Sequence, residues 1–141
     1  PILTDFCTTL TGIRQDDIKS ALSLKFVLAE FSKWCYRREN TCRLVSWGKF
    51  DKSQILRECL RKDIDSHLLI DVRDHHVNLK QRFWNFYNVP HKGYHRDILS
   101  ALDKVGLKFE GTQHRAAVDA TNIANLLPIF YPLLDKPYDN K

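Results

Sequence analysis

Two short apolar runs set between longer amphipathic segments constrain this chain more than any other feature. Cys42-Arg43-Leu44-Val45-Ser46-Trp47, ended by Gly48, and Leu68-Leu69-Ile70-Asp71-Val72 each have the length of a buried strand and are too short for a helix. Before the first run, Leu24, Val27, Leu28, Phe31, Trp34 and Cys35 recur at helical spacing, which predicts a helix over roughly 20–37. Ile55, Leu56, Cys59 and Leu60 predict a second helix starting near Asp51. Phe83, Trp84, Phe86 and Tyr87 fall in a third, from about 74 to 88, closed by the loop Asn88–Gly93. Ile98, Leu99, Leu102 and Val105 make a fourth helix stopped by Gly106, and a turn follows at Glu110–Gln113. Ala116, Ala117, Ala120, Ile123, Ala124 and Leu127 predict a last helix with a face of small residues, suited to close approach by a neighbour or ligand. Pro128, Pro132 and Pro137 then predict an irregular tail over 128–141. Alternating helices and strands imply an α/β layered domain with parallel strands. Two strands are too few for its sheet.

Length and composition narrow the class. At 141 residues, with 43% hydrophobic and 28% charged, the chain has the size and apolar content of one folded domain rather than a disordered segment. No apolar stretch approaches membrane-spanning length, so no membrane association is expected. Cysteines 7, 35, 42 and 59 form no C-x-x-C pair, which argues against zinc and for buried thiols in a reducing cytoplasm. From Lys33 to Lys62 nine Lys or Arg stand against three acids, in a chain of net charge +5. Such a block attracts polyanions, nucleic acid first among them; the alternative is a solvated helix face.

Few residues have the type and position for chemistry. Asp51 lies just past the first strand run, where ligand-binding residues of α/β sheets gather; the alternative role is a helix N-cap. His114 and Asp119 are five residues apart, about 140° around a helix, so they share a site only if His114 lies in the turn before it. An aspartate among alanines is a costly core residue, which favours a ligand role. Asp71, Asp74, His75 and His76 have metal-ligating side chains, but a strand–helix junction gives them a solvated or capping role. His91 and His95 read as exposed loop residues. The chain holds no P-loop, dinucleotide fingerprint, H-E-x-x-H or G-x-S-x-G.

Three segments together resemble a known family. They are Leu3-Thr4-Asp5-Phe6-Cys7 with Leu10-Thr11-Gly12-Ile13; Ser46-Trp47-Gly48-Lys49-Phe50-Asp51 with Leu56 and Cys59; and Gly106-Leu107, Phe109, Gly111, His114–Ala120 and Asn122-Ile123-Ala124. In order and spacing they resemble the DEDDh, or DnaQ-like, 3′–5′ exonucleases. The resemblance is greatest to the subgroup of Eri-type RNA-trimming enzymes and KapD-like sporulation inhibitors, and it runs from about residue 2 to 127. It implies a ribonuclease H-like α/β fold, a mixed central sheet flanked by helices, with an exonuclease domain over 1–127 and a tail over 128–141. It further implies that Asp51 and Asp119 bind two Mg²⁺ or Mn²⁺ ions. His114 is then the general base for water attacking a phosphodiester at the 3′ end of RNA or single-stranded DNA. A two-metal site stabilises the attacking and leaving oxygens of such a displacement. Trp47 could stack on a base or pack in the core.

One part of the pattern is missing. The family's first motif, a D-x-E on a strand preceding Leu3, has no counterpart, since no D-x-E occurs here and Asp63-Ile64-Asp65 ends a helix. The expectation is a fragment of a longer exonuclease that lacks its first strands in this chain. The alternative is a catalytically inactive homologue that binds nucleic acid or regulates. An unrelated metal hydrolase built on Asp71, Asp74, His75 and His76 is a third reading.

Overall fold

The computed structural model describes residues 2–36, 43–65, 71–90 and 95–134. Helices α1 (Asp5–Thr11), α2 (Gln15–Lys19) and α3 (Leu24–Cys35) precede strand β1 (Val45–Ser46) and helix α4 (Phe50–Arg61). A π-helical turn (Asp71–His75), strand β2 (Val77–Asn78) and helices α5 (Leu79–Phe86), α6 (Ile98–Lys104) and α7 (Ala116–Leu134) follow. The strands pair in parallel, Val45 with Val77 and Ser46 with Asn78, and Val77 N–H donates to Leu44 O at 2.8 Å.

Successive strand residues point to opposite faces, and the two hydrophobic clusters follow from that. Val45 and Trp47 pack on the larger one, where Leu79, Phe83 and Trp84 of α5 meet Ala101 and Leu102 of α6 and Leu126 and Phe130 of α7. Leu44 packs on the smaller, formed by Leu28 of α3, Cys59 of α4, Ile64 and Val72. The parallel pair is therefore a wall with helices on both sides, as the alternating pattern implies. Among the described residues it is the only sheet.

Three expectations need correction. Asp71 and Val72 belong to a π-helical turn, and the second strand lies at 77–78; residues 68–70 fall outside the described part. Val72 is buried, but in the smaller cluster, while Val77 supplies the N–H that Leu44 needs. The third helix accordingly starts at Leu79, where Asn78 Oδ1 accepts Gln81 N–H as a cap, rather than near 74. The last helix does not stop at Pro128. A helical proline loses one backbone bond and crowds the preceding turn. Here Leu126 and Phe130, both fully buried, anchor the helix on either side of it, and it runs to Leu134. The small-residue face of α7 stays open, with Ala116, Ala117, Ala120 and Ala124 exposed, while the buried stripe is Asn122, Leu126 and Phe130.

Two features lay outside the expectations altogether. Short helices α1 and α2 precede residue 20, α1 being capped by the Thr4 side chain and closed by Gly12 in the left-handed conformation (φ 68°). On α3 the smaller cluster takes only one stripe, Leu24, Leu28 and Cys35, and leaves Val27, Phe31 and Trp34 exposed, the last two stacked at 5.7 Å.

Candidate active site

The turn that carries His114 is built by one buried side chain. Asn122, in the middle of α7, accepts Glu110 N–H at 3.0 Å and donates to Glu110 O and Val118 O at 2.9 Å each. It stands in for a partner strand, satisfying backbone groups that would be costly to bury unpaired. Gly111 follows at φ 87°, and a Cβ there would come 2.9 Å from Val118 Cγ1, so only glycine lets the turn lie this close to α7. His114 then takes a left-handed conformation (φ 64°) two residues before the helix, with its ring exposed. Histidine is among the side chains that tolerate this region. The structure thus meets the condition under which His114 and Asp119 can serve one site.

Asp119 lies in the first turn of α7, half-buried, its N–H bonded to Arg115 O at 2.9 Å. A carboxylate there also suits the helix dipole. Arg115 reaches across to the end of α1, where a Cβ on Gly12 would lie 2.0 Å from its Cζ. This contact brings the first and third of the three recognised segments together.

Asp51 is exposed in the first turn of α4. It is not the cap: Lys49 holds that position and makes no side-chain cap bond, so the capping alternative falls away. Long-range ties hold the approach to Asp51. Ser46 Oγ donates to Gly48 O at 3.1 Å and lies 2.8 Å from His76 Nε2. Trp47 Nε1 donates to Arg96 O at 3.2 Å, and its ring meets Phe83 edge-on at 5.7 Å. Lys52 Nζ donates to Arg73 O. Trp47 is therefore a half-buried packing residue at the edge of the larger cluster.

The four-residue polar cluster separates into individual roles. Asp74 pairs with Arg73 at 2.9 Å, and that hydrogen-bonded guanidinium holds its carboxyl below the ordinary range. Burial pushes the His76 pKa down and Lys52 adds to this, while Asp51 pulls the other way. A solvated or capping role for His76 does not include its bond to Ser46, since no local signal links positions 46 and 76. Nor does the motif around Asn122 carry a local sign of its clamp on Glu110. His95 is exposed, and His91 lies outside the described residues.

Three members of the basic block have local partners, and Arg37 and Arg38 lie outside the described residues. Lys33 pairs with Glu30 and Arg61 with Glu58, each at 2.6 Å, and Arg57 bonds Gln54. Lys49 and Lys62 remain exposed near the ends of α4.

Among the described residues no three His, Cys, Asp or Glu side chains gather as a metal-binding group. No hydrogen bond or ion pair joins Asp51 to His114 or Asp119. Among the described residues, no ion pair or hydrogen bond engages the carboxylate oxygens of Asp51 or Asp119. Such hard oxygen donors fit Mg²⁺ or Mn²⁺, and two of them are a partial ligand set.

Comparison with known proteins places the chain. The family model described as RNase_T, exonuclease, matches residues 1–127. "ERI1 exoribonuclease 2" of Danio rerio is 32% identical over 145 residues, covering 89% of this chain and 25% of that protein. The Xenopus laevis protein of the same name is 30% identical, with 89% of this chain and 20% of that protein covered. The chain thus spans about a fifth to a quarter of these curated relatives. Among solved structures, the nuclease domain of 3'hExo, a DEDDh family member bound to rAMP, superposes with a TM-score of 0.76 at 25% identity, covering 92% of this chain and 65% of that one. The chain belongs to the DEDDh exonuclease family, and its helices and parallel pair are part of that family's ribonuclease H-like domain.

Proposed function

We propose that the protein containing this chain is a metal-dependent 3′–5′ exonuclease that shortens RNA from its 3′ end. The observation that carries the reading is the His114 turn, fixed at the start of α7 by Asn122 and Gly111, with Asp119 one helical turn on. The relatives named as exoribonucleases support RNA; single-stranded DNA is the second substrate class the same chemistry admits.

His114 takes the proton from the attacking water on its exposed imidazole, the side chain most often used as a general base. Asp51 and Asp119 would hold divalent ions, Mg²⁺ or Mn²⁺. When bound, these supply charge stabilisation at the phosphoryl oxygens. Lys49 and Lys62 offer positive charge to the phosphate backbone, and the accessible part of Trp47 offers a surface against which a base can lie. An exonuclease domain over 1–127 belongs to this reading, with α7 making core contacts as far as Phe130 and running on to Leu134 before any tail begins.

Among the described residues no helix is long and apolar enough to cross a membrane. We place the protein in the cytoplasm, a compartment that suits the buried Cys59, whose thiol burial holds in its protonated form.

The test uses the full-length protein on 5′-labelled RNA with Mg²⁺. A ladder of products shortened from the 3′ end is expected, and His114→Ala should slow it by about 100-fold or more. Undiminished trimming by that variant would remove the general-base role.

A further inference from the structure

The exonuclease reading uses His114, Asp51 and Asp119 and leaves His76 unexplained. We infer that His76 is a positioning residue for Asp51, acting through Ser46 on the loop that starts α4; this deepens the exonuclease reading and rests on it. Ser46 Oγ carries a single hydrogen, which goes to Gly48 O at 3.1 Å. With the hydroxyl hydrogen on Gly48 O, the 2.8 Å contact to His76 Nε2 is completed by the Nε2–H form of the ring. His76 immediately precedes β2, and Ser46 pairs with Asn78 of that strand, so the bond runs beside the parallel ladder and extends it.

The loop has need of such a tie. Only four residues separate Ser46 from Asp51, and Gly48 among them has a φ of 118°. The N-cap residue of α4, Lys49, makes no side-chain cap bond, so the start of its first turn relies on the contacts of the loop before it. The direction of that turn comes from the ties made by Ser46, Trp47 and Lys52. The one through Ser46 is nearest the bend, because the same hydroxyl also grips the Gly48 carbonyl. Besides the hydroxyl of Ser46, the charges of Lys52 and Asp51 act on His76, so the ring is within electrostatic reach of the carboxylate while its hydrogen bond goes to the strand. Groups that orient a ligand from behind typically change metal affinity or activity by about 10–100-fold when removed.

Three variants of the full-length protein test this: His76→Leu removes the N–H, His76→Gln keeps an amide donor, and Ser46→Ala removes the partner without touching the ring. Mn²⁺ binding, followed by the spectrum of the free ion, is read beside kcat and KM for RNA trimming. His76→Leu and Ser46→Ala should each weaken Mn²⁺ binding and lower kcat by about tenfold, with KM for RNA little changed. His76→Gln should recover most of both, and the Leu/Ala double variant should be no worse than either single. Wild-type metal affinity and kcat in Ser46→Ala would overturn the inference, as would equal losses in the Gln and Leu variants, which mark a packing role. Asp119→Asn is the control for the underlying reading. If it trims normally, the exonuclease reading fails; if it is dead while Ser46→Ala is normal, only the role of His76 fails.

Discussion

The two aspartates sit at helix starts that are built in different ways. Around Asp119 the supports are near in sequence: Asn122 clamps Glu110, Gly111 rests on Val118, and His114 lies between them. Around Asp51 they come from afar, Ser46 to His76, Trp47 to Arg96 and Lys52 to Arg73. One end of the site is thus a self-contained turn and helix. The other depends on the π-helical turn, β2 and the segment before α6 being in place. The first should survive perturbation of the rest of the domain better than the second.

The largest effect should come from the shared foundation. Phe130→Ala removes a fully buried ring beyond Pro128 and should cost about 4 kcal/mol in denaturant unfolding. A cost near zero would mean that the last turns of α7 do not anchor the core. Asn122→Leu should come next, at roughly 2 kcal/mol, because the fully buried Asn122 amide gives up its three hydrogen bonds and the part-buried Glu110 N–H and O lose their partner. Its activity loss should exceed that of a Leu102→Ala variant matched for stability, since only the former releases the His114 turn. Gly111→Ala should cost about 1–2 kcal/mol, from its positive φ and from contact with Val118.

Acid gives the gentlest probe of the Asp51 end. His76 has a depressed pKa in the folded chain, so below the ordinary value near 6.5 the unfolded state takes up a proton that the folded state refuses. Stability from this group is complete above about pH 6.5 and falls as pH drops toward the folded value. Unfolding midpoints measured from pH 7.5 to 5 should show a decline that His76→Gln reduces. An identical slope in wild type and His76→Gln would separate His76 from the acid response.

The same contrast explains what could be read from the amino acids. His114, Gly111 and Asp119 announce themselves within a dozen residues, so the turn before α7 was legible from spacing and family resemblance. The α/β alternation and the parallel pairing were legible too, because hydrophobic period is local. The exact place of β2 was not: Leu68–Val72 is the more apolar run, yet the pairing went to Val77, whose N–H meets Leu44 across the sheet. Helix α7 ran past Pro128 because burial of Phe130 outweighs one lost backbone bond, a balance set by α5 and α6 rather than by α7 itself. His76 was illegible for the same reason, its partner lying 30 residues away.

The central claim is that the chain supplies working catalytic groups to an exonuclease. The most direct measurement is trimming of 5′-labelled RNA by full-length wild type and Asp119→Asn at saturating Mg²⁺, with the unfolding midpoint of each recorded alongside. The account predicts a ladder shortened from the 3′ end for wild type and none for the variant, with midpoints unchanged. Equal ladders from the two proteins would contradict it.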